Sequence, residues 1–204
     1  MSQVQEMIFL IDGSERETDN EKTVEIINEV MTCVGDELGR KNVGASTYNL
    51  FSVYLCSDKG GETTLNEVLV ESDWSGIKYD FRDYKIMLSD IKGRPALGRG
   101  IVELAGIIKK SAEEWRAMGD YVWPPEIFVL ASDTSEKENI EAGLKEAQEI
   151  SAHVKNADIS VFKIGESAGE LYKKIKGDGY GFGYDGVWCH ERCEPYSGNI
   201  KMEK

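Results

Sequence analysis

Two short polar segments, each directly after an apolar run, carry residue types that could bind a metal cation. The first holds Asp12 and Ser14, and the second holds Asp133, Thr134 and Ser135. Carboxylate and hydroxyl oxygens are the hard ligands that Mg²⁺ or Mn²⁺ prefers, with water or a partner's carboxylate completing the octahedron. Short polar residues also cap turns, so the same pattern is compatible with a purely structural role.

A second set of metal-ligand types lies near the C-terminus, at Cys189, His190 and Cys193. Structural zinc sites usually have four ligands and a second cysteine pair, and no second pair lies nearby in the sequence. Cys33 and Cys56 are far away along the chain. We therefore expect no zinc site and expect the cysteines to be mostly reduced, because four are too few for a disulfide scaffold.

Three apolar runs predict the strands that position the polar segments. They cover residues 7–11, 126–131 and 159–164. Continuous apolar runs are typical of strands buried on both faces of a parallel sheet. Apolar residues at helical spacing predict helices between and after them, at about 20–39, 97–118, 136–155 and 167–176. The segments 18–21 and 135–138 have capping-box spacing and are predicted to begin two of these helices.

Residues 46–71 predict an antiparallel hairpin. Its first half is rich in aromatic and branched apolar residues, a Lys-Gly-Gly turn follows at 59–61, and its second half alternates apolar with polar or charged residues. Such alternation suits an exposed edge strand. The next stretch, 72–95, has no clear pattern and allows only a short helix, lined by Ile86, Leu88 and Ile91.

The predicted order of elements is β-α-β-β-α-β-α-β-α. Buried strands alternating with helices predict an α/β fold: a doubly wound, mostly parallel sheet with one antiparallel edge strand and helices on both faces. Ligands of such sheets bind beyond the carboxyl ends of the strands, near the point where the strand order reverses. That rule directs attention to three loops, at 12–16, 94–98 and 132–135.

The sequence at these loops resembles the von Willebrand factor A (VWA) domain family. Residues 8–14 look like its first strand running into Asp-x-Ser-x-Ser, and 94–98 look like its Gly-Thr-x-Leu-Gly loop. Residues 128–133 look like its apolar strand ending in Thr-Asp-Gly. Three loose motifs in order on the predicted elements are fairly specific. Trp-Pro-Pro at 123–125 is similar to small bacterial VWA proteins associated with tellurium resistance.

The resemblance covers about residues 4–176 and includes the hairpin. It implies a VWA-like domain over 1–176, followed by a Gly- and Tyr-rich C-terminal extension over 177–204 that carries Cys189 and Cys193.

In the VWA family the three motifs form a metal-ion-dependent adhesion site. The resemblance implies that Asp12, Ser14 and Asp133 are retained metal ligands in this chain. It also implies that Mg²⁺ or Mn²⁺ is the cation they would hold.

Three positions depart from the family pattern. Arg16 replaces the second serine, Pro95 the threonine and Thr134 the glycine after the aspartate. Proline has no hydroxyl, so it cannot supply the ligand that threonine supplies. One hypothesis is that the Arg16 guanidinium takes the place of the cation and pairs with Asp12 or Asp133. The alternative is that Arg16 points away and a weak metal site survives. The residues expected at a partner interface are Arg16, Pro95, Thr134 and Ser135.

The composition limits the class of partner. Hydrophobic residues are 41% and charged residues 30%, which is ordinary for a globular domain, and the formal net charge is −13. An acidic surface repels phosphate backbones and anionic lipid, so we expect neither nucleic acid nor membrane as a partner. No stretch approaches the roughly 20 apolar residues of a transmembrane helix, and the first residues lack a signal-peptide pattern. A cytoplasmic location is therefore expected.

These observations favour a protein–protein interaction module of the VWA type, as a subunit of a multiprotein bacterial or phage system. The sequence has no dinucleotide-binding glycine pattern after the first strand, no P-loop and no nucleophile elbow, so we expect no catalysis. The alternative function is a Mg²⁺-dependent phosphoryl-transfer or hydrolytic enzyme that uses Asp12 and Asp133.

Overall fold

The structure of the chain is a computed structural model. It describes residues 3–17, 19–41, 47–60, 62–72, 85–132 and 134–164. The predicted last helix at 167–176, the extension at 177–204 and Asp133 lie outside the described residues.

Strands and helices alternate along most of the described chain. In order they are β1 (Gln3–Asp12), α1 (Asn20–Lys41), β2 (Thr47–Lys59), β3 (Glu62–Ser72), a 3₁₀ turn (Leu88–Asp90), α2 (Leu97–Ala117), β4 (Tyr121–Val122), β5 (Glu126–Ala131), α3 (Lys137–Ile150), α4 (Ala152–Lys155) and β6 (Asp158–Lys163). None of the helices in this part of the chain is long and apolar enough to cross a membrane.

Six strands form one sheet, in the order β3-β2-β1-β5-β6, with β4 pairing β1 beside β5. All pairs are parallel except β2 with β3, which form the predicted antiparallel hairpin. The α/β class, with a mostly parallel sheet and one antiparallel edge strand, is therefore confirmed. β1 lies centrally, with β2 on one side and β5 on the other, so the strand order reverses at β1.

The core has two layers because alternate residues of a strand face opposite sides of the sheet. Met7, Phe9 and Ile11 belong to one buried cluster, which includes Ile27 and Val30 of α1. The residues between them, Ile8 and Leu10, belong to the other, which includes α2 and α3. Helices thus cover both faces, and β1 reads as a continuous apolar run because both of its faces are buried.

The end of the described chain differs from the prediction in two ways. The predicted helix at 136–155 is two helices, because Ser151 leaves helical geometry and its hydroxyl caps α4 by accepting from Val154 N–H at 3.4 Å. The strand predicted as buried at 159–164 is β6, an edge strand on which Val161 is 45% exposed. Phe162 and Ile164 are buried in one core cluster, whereas Ile159 is only partly buried against the other, so the prediction that this run is fully buried was wrong.

The two predicted capping boxes also differ from the structure. Asp19, with φ at 64°, precedes α1, and its carboxylate accepts from Lys22 N–H at 3.2 Å. Thr18 lies outside the described residues. At the start of α3 the residue before the helix is Glu136, which makes no side-chain cap, and the Ser135 hydroxyl bonds elsewhere.

The described part of the ambiguous stretch before α2, residues 85–95, is largely irregular. Residues 73–84 lie outside the described part, and a 3₁₀ turn follows at Leu88–Asp90. Ile86 and Ile91 are buried against the sheet, whereas Leu88 is 47% exposed. The predicted short helix is thus a single 3₁₀ turn, and the burial of Ile86 before it and Ile91 after it fixes the turn against the core.

Candidate functional site

Asp12 is the centre of a hydrogen-bonded cluster at the carboxyl ends of β1 and β5. Its side chain is 1% exposed. Its Oδ1 accepts from Ser14 N–H at 2.9 Å. Its Oδ2 accepts from the hydroxyls of Ser132 and Ser135, the latter at 2.5 Å. Protein donors therefore engage both oxygens of the carboxylate, and the cluster joins the loop after β1 to the loop after β5.

The direction of each hydroxyl proton follows from these contacts. The protons of Ser132 and Ser135 point to Asp12, so the 2.8 Å contact between Ser132 Oγ and Thr134 Oγ1 has Thr134 as its donor. Ser135 Oγ also accepts from Ser132 N–H at 3.2 Å. Sequence reasoning missed Ser132. The parallel register of β1 and β5, which pairs residue 11 with residue 130, is the signal that could have placed it beside Asp12.

The loop after β1 is fixed by the segment before α2. Gly13 O accepts from Lys92 N–H at 2.8 Å, and Glu15 N–H donates to Gly93 O at 3.0 Å. Arg94 in turn forms a two-bond antiparallel bridge with Asp58 at the end of β2. Gly93 has φ at 76°, and a Cβ there would lie 2.2 Å from Asp58 O, so only glycine fits. Backbone bonds thus hold the loop after β1 to the segment before α2, and the hydroxyls of Ser132 and Ser135 join the third predicted loop to Asp12.

A groove of about 500 Å³ opens beside the cluster, between the first turns of α2 and α3. Its lining includes Pro95, Thr134 and Ser135 with much of the first turns of both helices. The helices approach so closely here that a Cβ on Gly98 would lie 2.3 Å from Asn139 O. The structure therefore brings three of the predicted interface residues to one concave surface, with Ser135 shared between the groove and the Asp12 cluster.

Two side chains of the loop after β1 have buried polar atoms with no hydrogen-bond partner among the described residues. They are the hydroxyl of Ser14, which is 1% exposed, and the Nε and Nη2 atoms of the half-buried Arg16. One hypothesis paired Arg16 with Asp12 or Asp133. Among the described residues Arg16 does not pair with Asp12. Asp133 lies outside the described residues, so that pair stays a prediction. An unsatisfied buried donor costs about 1–3 kcal/mol, and more when charged.

The backbone of Arg16 is nevertheless well fixed. Its N–H donates to Asn20 Oδ1 at 2.9 Å, and its carbonyl accepts from Asn20 Nδ2 at 3.3 Å. Asn20 is the first residue of α1, so the start of that helix holds the arginine in place.

Cys56 lies next to the site but is not a reactive thiol. It pairs with Asp12 in the sheet, and its Sγ contacts Ala96 O at 3.3 Å. Burial raises the pKa of the thiol to about 12, and the negative charges of Asp12 and Glu103 add to the effect. A thiol in this state is not a nucleophile or a metal ligand at neutral pH.

Two further titratable groups lie away from the site. Glu6 on β1 is 8% exposed, its Oε1 accepts from the Ser111 hydroxyl of α2 at 2.5 Å, and burial raises its pKa. Both ring nitrogens of His153 are buried and have no partner in the described part of the chain, and burial, followed by the charge of Arg116, lowers its pKa. A neutral imidazole is therefore favoured, rather than a cation that complements a helix dipole.

No group of three or more His, Cys, Asp or Glu residues in the described part of the chain could hold a metal ion. Asp133 and the set formed by Cys189, His190 and Cys193 lie outside that part. In the described residues, the predicted ligands Asp12 and Ser14 are close, but only the carboxylate is anionic.

The fold and site define an α/β domain whose doubly wound sheet carries a polar cluster and a groove at its carboxyl edge. No family model matches the chain, and no curated protein is similar to it. Among solved structures, the chain is similar to one described as "Crystal Structure of the SpRpn10 VWA domain", with 11% sequence identity and a TM-score of 0.38. The match covers 88% of this chain and 99% of that one. Similarity at this level carries no argument about function or site residues, so membership of the VWA family stays a prediction from the motifs.

Proposed function

We propose that the chain is a protein–protein interaction module of the VWA type that presents its carboxyl-edge loops to a protein partner and performs no catalysis. The loops are 13–17, 93–98 and 134–135. The observation that carries the proposal is the Asp12 cluster, in which a buried carboxylate binds donors from both neighbouring loops. Such a cluster holds a binding surface rigid, which lowers the entropy lost on association.

We further propose that the interaction needs no Mg²⁺ or Mn²⁺. Both oxygens of Asp12 already accept hydrogen bonds from the protein, and Pro95 has no hydroxyl to offer. The described residues therefore do not fit a hard cation, which needs several open oxygen ligands. Zinc at Cys189 and Cys193 is not part of the proposal.

The enzyme alternative receives less support from the same contacts. A phosphoryl-transfer or hydrolytic enzyme that used Asp12 and Asp133 would need an Asp12 oxygen open to Mg²⁺. The Ser14 N–H and the hydroxyls of Ser132 and Ser135 already bond to these oxygens and use three of about four lone-pair positions, which leaves little capacity for a cation. Membership of a multiprotein bacterial or phage system, and the likeness to tellurium-resistance-type VWA proteins, remain parts of the proposal that rest on sequence alone.

A capture experiment tests the interaction. Immobilised wild-type protein and two single variants are incubated with a lysate of the source organism, with and without EDTA. Arg94→Glu changes the charge of an exposed residue at the groove, and Lys155→Glu makes the same change on exposed α4. We expect one partner that wild type and Lys155→Glu retain, that Arg94→Glu loses, and that EDTA leaves bound. Equal capture by both variants, or turnover of a generic phosphoester that Asp12→Ala abolishes, would refute the proposal.

A further inference from the structure

Three exposed apolar side chains lie close together in the chain at the amino edge of the sheet, opposite the candidate site. Met118, at the end of α2, is 64% exposed, and Tyr121 and Trp123 are 49% and 42% exposed. The two aromatic rings pack edge to face, with centroids 5.0 Å apart. Trp, Tyr and Met are enriched at binding surfaces. We call these three residues the aromatic platform.

The backbone beneath the platform is fixed by the sheet. β4 pairs with the first two residues of β1, and Trp123 N–H donates to Val4 O at 2.9 Å. Gln5 Nε2 donates to Pro124 O, also at 2.9 Å. Val122, between the two rings, is buried. The rings are therefore presented on a preformed surface, and binding to such a surface loses little conformational entropy.

The sequence predicts that the chain returns to this edge after β6. The described residues end at Ile164, at the carboxyl edge, where its N–H donates to Ala131 O at 2.8 Å. The helix predicted at 167–176 would be about 15 Å long, and a strand of six residues is about 20 Å long. A helix that follows such a strand runs back towards the amino edge.

The platform also lies close to β6 across the sheet. β4 and β5 both pair β1 on the side opposite β2, so β4 is in line with β5. β6 pairs β5 and is therefore one strand spacing, ~5 Å, from that line. The extension at 177–204 is thus predicted to begin near the platform.

The extension carries a repeat that suits an aromatic surface. Residues 179–184 read Gly-Tyr-Gly-Phe-Gly-Tyr, so aromatic residues alternate with glycines. Alternate side chains of an extended segment lie on one side, which would put three rings on one face, and the glycines would let the backbone approach closely. Ring pairs stabilise by more than their buried area alone.

We propose that residues 179–184 dock on the aromatic platform of the same chain. The platform lies at the opposite edge of the sheet from the loops of the proposed function, so the two proposals are independent. A segment tethered to its own binding surface has an effective concentration in the millimolar range, so a few ring contacts are enough to hold it.

Cleavage by chymotrypsin, which cuts after aromatic residues, tests the docking in the full chain. Fragments cut after Tyr180, Phe182 or Tyr184 are measured by mass spectrometry at short times. We expect Trp123→Ala to raise the rate of this cleavage roughly tenfold, because the docked segment loses ring contacts. Ile107→Ala is the matched control and should be cut as wild type is, because Ile107 is 40% exposed on α2 but lies about three turns before Met118.

Nuclear Overhauser effects in the wild-type chain provide a measurement that needs no variant. We expect contacts between the Trp123 indole protons and ring protons of residues 179–184. Their absence, or equal cleavage of Trp123→Ala and wild type with both folded by circular dichroism, would overturn the proposal. Protection from chymotrypsin that increases with protein concentration would also overturn it, because the platform would then bind a second copy of the chain.

Discussion

Removing the Asp12 carboxylate should loosen two loops at once, because Ser14 N–H in one loop and the hydroxyls of Ser132 and Ser135 in the other would lose their buried acceptor. We expect Asp12→Ala to lower the free energy of unfolding by about 3–5 kcal/mol, and Asp12→Asn by about 1–2 kcal/mol because the amide still accepts at one oxygen. Urea unfolding measures both changes. The exposed Glu149→Ala serves as control and should stay within about 0.5 kcal/mol of wild type. An Asp12→Asn variant as stable as wild type would contradict the role of the charge.

A divalent cation should not stabilise the protein. A ligand present at about 100 times its Kd adds roughly 2.7 kcal/mol, which for a domain of this size raises Tm by about 5–10 °C. We expect thermal unfolding in EDTA, Mg²⁺ and Mn²⁺ to coincide. A rise of that order that disappears in Asp12→Ala would show a working adhesion site and would rule out the metal-free interface.

The buried Glu6 should make stability fall as pH rises. Its ordinary pKa is 4.5 and its pKa in the folded state is higher, so above about pH 4.5 the unfolded chain releases a proton that the folded chain keeps. The loss begins near 4.5 and ends above the folded pKa. Glu6→Gln keeps an acceptor for Ser111 and removes this effect. Urea unfolding at several pH values should show Glu6→Gln equal to wild type in acid and more stable near pH 7.

The surface substitution Glu149→Gln controls for the loss of one negative charge in that comparison. A difference between Glu6→Gln and wild type that is the same at every pH would contradict the role of the buried carboxyl.

At the scale of elements, the contact between α2 and α3 depends on two glycines. A Cβ on Gly98 or on Gly143 would lie 2.3 or 2.2 Å from backbone oxygen of the other helix. We expect either Gly→Ala change to destabilise by about 1–3 kcal/mol, although alanine favours helices. Gly106→Ala is the matched control, because Gly106 is exposed in α2 with nothing within 4 Å, and should stabilise by roughly 0.8–1 kcal/mol. Destabilisation by all three, measured in urea, would mean that helix separation is not the cause.

Strands and helices with strong apolar patterns could be predicted from the sequence, since burial on a sheet face or along a helix stripe determines their periodicity. β1, β5, α2 and the hairpin are examples. The starts of helices were harder to predict because the Ser135 hydroxyl had two possible roles. Its local pattern favoured a cap, in which the oxygen accepts from a backbone N–H, whereas in the tertiary structure the hydroxyl donates to the buried carboxylate of Asp12.

The candidate site could be predicted in part for a related reason. Parallel strands put Asp12 and the 132–135 loop at the same edge, and this needed only the element order. The hydrogen bond from Ser132 to Asp12 and the burial of the Arg16 guanidinium atoms depend on side-chain directions across strands. The spacing of residue types along the sequence does not predict these side-chain directions.

The charge of the whole molecule restricts which partners it can bind. The formal net charge is −13, and acidic residues surround the Arg16 loop, with Glu15, Glu17 and Asp19 all exposed. A partner with a uniformly acidic surface would be repelled before contact. A neutral or basic partner surface avoids that repulsion, because the surrounding negative field attracts its cations.

Two peptides of equal length test this effect of charge. Both carry a central Gly-Asp-Gly, flanked by two lysines on each side in one peptide and by two glutamates in the other. We expect the lysine peptide to bind more tightly at about 0.05 M salt, and the difference to shrink at about 0.5 M because the Debye length falls below the distance to the flanking charges. Fluorescence anisotropy measures both affinities. Equal affinities of the two peptides at low salt would contradict the role of the acidic surface.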